Sequence, residues 1–71
     1  MATTTTYYKA DHALYKVEET DRGFGGYYLN ATSPTWTLNQ WVLSQVWQGI
    51  DCSKVTESEA AAFAKELGGE L

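Results

Sequence analysis

The chain is poor in the residues that staple, kink or charge a small protein. Cysteine occurs once, as Cys52, so no disulfide can close within the chain, and no repeated Cys/His spacing offers a zinc site. Proline also occurs once, as Pro34. Five basic residues stand against nine acidic ones, for a net charge of −4 and a pI near 4.6. That balance argues against the basic stripe with which nucleic-acid binders neutralise phosphates, and against a polybasic membrane anchor. The start, Met-Ala-Thr-Thr-Thr-Thr, lacks the basic segment and apolar core of a secretory signal. These absences predict a cytoplasmic protein of one domain, residues 1–71. At this size only about 60% of the unfolded chain's surface is buried, so the core is thin.

The most telling absence is of charge. No Asp, Glu, Lys or Arg lies between Arg22 and Asp51. The same window holds all three tryptophans, Trp36, Trp41 and Trp47, and two of the tyrosines, Tyr27 and Tyr28. It is long enough to cross a bilayer, but Gly25, Gly26, Asn30, Pro34, Asn39, Gln40, Gln45 and Gln48 make it a poor membrane helix. Uncharged aromatic surface in so short a chain must be buried in its own core or covered by another molecule.

The β-branched run Thr3–Thr6 leading into Tyr7 and Tyr8 favours extended structure. Alternation over residues 13–18 predicts a half-buried strand with Ala13, Tyr15 and Val17 on one face and Leu14, Lys16 and Glu18 on the other. Residues 9–12 form either a tight turn or the middle of one long bent strand. Glycines and polar residues make 19–26 a loop. Tyr27–Ala31 reads as a second strand, pairing with the first as an antiparallel hairpin across that loop.

Two helices follow. Thr37 and Gln40 match a capping box, Trp36 and Trp41 take the positions of a hydrophobic staple, and Gly49 with Ile50 suits a left-handed C-terminal cap. Residues 38–48 are therefore expected to be helical; a strand over 41–47 explains none of these caps. Thr56 and Glu59 form a second capping box for a helix over 57–67, ended by Gly68 and Gly69. Its apolar stripe is Ala60, Phe63, Ala64 and Leu67. Gly69-Glu70-Leu71 reads as a loose tail. The expected fold class is α+β: a small antiparallel sheet of two or three N-terminal strands, with two capped helices packed on one face.

On a helical wheel, Leu38, Val42, Leu43 and Val46 form the apolar centre of the first helix, with Trp41 and Trp47 flanking it on opposite sides. The polar strip is only Gln40, Ser44 and Gln48. Apolar groups cover more of the circumference than an ordinary surface helix shows. One possibility is that the sheet seals one flank and the second helix the other. A second is a contact surface, since Trp and Tyr concentrate at binding hot spots, and a third is a small-molecule pocket lined by aromatics.

Other candidates for chemistry are weak. Cys52 and His12 show no spacing that makes a nucleophile and base. Asp11, His12, Asp51 and Cys52 lack metal-ligand spacing. Gly23-Phe24-Gly25-Gly26 precedes a strand, not the helix N-terminus a phosphate loop needs. Asn30-Ala31-Thr32 has the letters of a glycosylation sequon without a secretory signal. No catalytic residue, cofactor or metal is expected. In size and acidity the chain resembles, in type and not in any residue, the small inhibitor and accessory proteins that phages encode. The expected function is a non-catalytic protein-binding module. Its partner is another protein or a second copy, with no direct nucleic-acid or membrane contact, engaged through Trp36, Trp41, Trp47, Tyr27 and Tyr28. The alternatives are a structural homodimer and an acidic decoy that occupies a partner's nucleic-acid site.

Overall fold

Three strands follow one another through two-residue turns. The computed structural model describes residues 3–49 and 52–71. Strand β1 (Thr4–Ala10) turns at Asp11-His12 into β2 (Ala13–Thr20), which turns at Asp21-Arg22 into β3 (Gly23–Asn30). The expected glycine loop is thus mostly strand, and only Asp21-Arg22 turns. After an irregular stretch come the two-residue β4 (Thr37–Leu38), helix α1 (Trp41–Gln48), β5 (Cys52–Val55) and helix α2 (Glu57–Glu66). The five strands form one antiparallel sheet in the order β4-β3-β2-β1-β5. The α+β class holds, but β4 and β5 enlarge the expected sheet. No helix among the described residues is long and apolar enough to cross a membrane.

The two helices do not share a face. Leu14 packs with Ala60 and Ala64 of α2, whereas Val17 packs with Val42 and Val46 of α1. Residues three apart in a strand point to opposite sides. One helix therefore covers each side of the sheet, which corrects the expected placement. The α2 layer includes Tyr7, Trp36, Val55, Phe63 and Leu67; the α1 layer includes Tyr8, Tyr15, Tyr28, Leu43 and Cys52. Leu14 and Val42, both fully buried, anchor one layer each.

Helix α2 begins as its sequence demands. The Glu59 N–H donates to Thr56 Oγ1 at 3.2 Å, and the Thr56 N–H donates to Glu59 Oε1 at 3.0 Å. Its buried stripe, Ala60 and Ala64, lets it lie close to β1 and β2. Of the expected loose tail, Gly69 is held, while Glu70 and Leu71 are exposed. The Gly69 N–H donates to the Ala64 carbonyl at 2.8 Å, and Gly69 sits so tightly on the Pro34 carbonyl and Leu29 that a side chain there would overlap them.

Helix α1 begins differently from expectation. Thr37 and Leu38 pair with Tyr28 and Tyr27 of β3. The Thr37 hydroxyl donates to the Thr35 carbonyl, and Gln40 at the helix start makes no side-chain cap. The Asn39 side-chain oxygen accepts the Trp41 N–H at 3.0 Å instead. The expected capping box is absent because the sheet uses both of its residues. The staple fails too, since Trp36 belongs to the α2 layer and Trp41 lies against Tyr15 in the α1 layer. The C-terminal end is as expected: Gly49 is left-handed at φ 68°, and its N–H caps the Val46 carbonyl. Ile50 lies outside the described residues.

Candidate functional site

The outer face of α1 carries the two most exposed aromatic side chains among the described residues. With Val42 and Val46 turned to the sheet, Trp41 and Trp47 lie about 120° apart on the outward side at roughly 100° per residue. Ser44 and Gln48 fall between them. Trp41 is 54% exposed and Trp47 60% exposed. Each indole is nonetheless steadied by a sheet ring: Trp41 meets Tyr15 edge-to-face at 6.3 Å, and Trp47 meets Phe24 edge-to-face at 5.3 Å. Phe24 is itself half exposed. Such edge contacts fix orientation while leaving ring faces free.

Strand β3 sets this helix in place. A side chain on Gly26 would approach the Asn39 carbonyl and Val42 Cβ at 3.1 Å and Leu43 Cγ at 3.2 Å, so the helix rests directly on backbone. The Gln40 amide ties the same spot, with Oε1 accepting from the Gly26 N–H at 2.9 Å and Nε2 donating to the Phe24 carbonyl at 3.3 Å. The Gly26 carbonyl accepts from the Asn39 N–H at 2.8 Å.

The five residues expected to form one surface are divided between two. Tyr28 stands in the cross-strand row Tyr8, Tyr15, Tyr28 and supports α1 from beneath. Tyr27 and Trp36 lie on the opposite side of the sheet. There Lys16 Nζ sits 5.0 Å from the Tyr27 ring centre and 4.7 Å from that of Trp36, and 3.5 Å from Glu18 Oε2. These two rings already have a cation; strand pairing brings a charge from outside the neutral window onto them. Trp36 is half-buried and stacks obliquely with Tyr7 at 6.4 Å. Its buried Nε1 has no hydrogen-bond partner among the described residues. The Glu18 charge, aided by burial, raises the Tyr27 hydroxyl above its ordinary 10.0. Burial, followed by the charges of Glu57 and Glu18, raises Tyr7 in the same direction.

Two contributors were not expected. Phe24, in the segment expected to be a loop, holds Trp47. Leu38, expected in the apolar centre of the first helix, belongs to β4 and is 61% exposed. Cys52, expected in a loop, opens β5 opposite Ala10, and its Sγ lies 3.8 Å from the Gln45 carbonyl. His12 is exposed in the β1–β2 turn. Among the described residues no three His, Cys, Asp or Glu side chains gather as a metal site.

Comparison with protein-family models, curated proteins and solved structures finds no match for this chain. Geometry and chemistry alone bear on its role.

Proposed function

We propose that this is a non-catalytic protein-binding module whose contact surface is the outer face of α1. Trp41 and Trp47 act as its anchors, with Phe24 beside Trp47. The observation that carries this reading is that both indoles are more than half exposed while each is held by a sheet ring. Pre-oriented aromatic side chains lose little freedom on binding and offer large area. Covering roughly 100 Å² of each indole contributes on the order of 2–3 kcal/mol at about 25 cal/mol per Å². Ser44 and Gln48 between the rings carry no charge, so the fitting partner surface is apolar and uncharged at its centre. A module of this type works by occupying such a surface, as an inhibitor or accessory subunit does. Tyr28 supports the face from below, and Trp36 and Tyr27 serve the opposite layer.

The test is Trp41→Ala and Trp47→Ala, singly and together. Near-native circular dichroism and thermal stability, with loss of the protein retained by the wild type from a lysate of the source cells, support the reading. If each single variant unfolds, both rings are core and the reading fails.

A further inference from the structure

The sheet ends in the two-residue β4 on one side and the four-residue β5 on the other, which is too short to cover all of β1. Hydrogen bonds to Gly26 and the Phe24 carbonyl show that residues 24, 26, 28 and 30 of β3 turn their main-chain groups away from β2. That row is covered: Asn30 N–H donates to the Ser33 carbonyl, Tyr28 pairs with Thr37, Asn39 and Gln40 serve Gly26, and Gln40 serves Phe24.

The same alternation carries across the sheet. Antiparallel strands use every second residue towards each neighbour. Tyr27 and Leu29 face β2, so their partners Lys16 and Leu14 face β3. Tyr15, Val17 and Glu19 then face β1, and their partners Tyr8, Thr6 and Thr4 face β2. Thr5, Tyr7 and Lys9 are left facing β5, but β5 ends at Val55, opposite Tyr7. The main-chain N–H and C=O of Thr5 thus face outward beyond the end of β5, and Thr3 immediately precedes β1 on this edge. They border an open groove of about 560 Å³ lined by Thr3–Tyr7, Lys54, Val55 and Glu57.

We infer that this edge pairs with the same edge of a second copy, antiparallel and centred on Thr4, with Thr3 opposite the partner's Thr5 and Thr5 opposite the partner's Thr3. Three observations favour a second copy. The threonine run is complementary to itself in this register, since pairing that carries the strand one residue back to Thr3 sets Thr3 and Thr5 against each other across the axis. Thr3–Thr6 carry no charge, whereas the continuing edge on β5 carries Lys54, the type of residue that guards sheet edges. The opposite edge strand, β4, is only two residues long and offers little to pair with, and pairing across a twofold axis uses this β1 edge of both molecules, so it ends at two.

Amide exchange and sedimentation, each followed over a concentration series, test this. Thr4 and Thr6 amides face β2 and are expected to be protected at every concentration. The Thr5 amide should exchange freely in dilute protein and become protected as the dimer forms. Thr4 lies on the twofold axis, where like charges face each other. Thr4→Lys and Thr4→Glu should each dimerise several-fold more weakly than wild type, and an equimolar mixture of the two should recover association in a salt-sensitive way. Trp41→Ala should leave association unchanged. A wild type that stays monomeric at millimolar concentration overturns the inference. So does a dimer in which the Thr5 amide stays exposed, or one that Thr4→Lys leaves intact.

Discussion

Thr56 satisfies the start of α2 in both directions, through its own hydroxyl and through the Glu59 carboxylate. Thr56→Ala removes the hydroxyl half and should cost about 1 kcal/mol, read as a lower urea midpoint with unchanged slope. Glu59 carries a pH signature. Its backbone hydrogen bond from Thr56, then the side-chain bond to the same residue, holds its carboxyl below the ordinary 4.5. A folded-state pKa lowered in this way gives stability that is present above the unfolded value and lost as pH falls through the folded one. The stability difference between wild type and Glu59→Gln should therefore shrink as pH drops below 4.5. A difference that does not vary with pH would mean that the carboxylate charge adds nothing to the cap.

Among the elements, α2 was legible and α1 only in part, for one physical reason. Every signal of α2 is local: Thr56 and Glu59 bond each other, and the Ala60/Ala64 stripe falls at helical spacing. The start of α1 is decided at long range. The outer row of β3 needs partners, and it takes the backbone of Thr37 and Asn39 and the side chain of Gln40, so the helix forfeits its expected box. The glycines of β3 misled in the same way. Locally they favour a loop, but Gly26 is strand because a helix lies directly on it. Glycine inside a strand is a known mark of close backbone approach, and Tyr27–Leu29 after it was the available hint. Gly26→Ala should cost about 1–3 kcal/mol, as overpacking does. It should also alter the near-ultraviolet signal of Trp41 and Trp47 as α1 is displaced. An unchanged aromatic spectrum would count against the contact.

At the scale of the whole molecule, the sequence pattern predicted the class and misplaced the layers. The clue was Leu14, the one apolar residue on the Lys16/Glu18 side of β2; a leucine there needs a cover of its own, and α2 supplies it. The candidate surface was legible as aromatic and uncharged, and Trp41 and Trp47 meet that description. Trp36 and Tyr27 do not, because Lys16 reaches them from a neighbouring strand and no reading along the chain reveals cross-strand neighbours. The Gln40 amide has a bearing on colloidal behaviour too. It occupies places on the β3 rim that another molecule's strand could otherwise take. Truncating it, as in Gln40→Ala, leaves a particle able to accept strands at both rims, so growth need not stop. Turbidity or light scattering that rises with time in this variant, while the wild type stays clear, is the expected outcome; equal clarity would show that residues 37–39 suffice to block polymerisation.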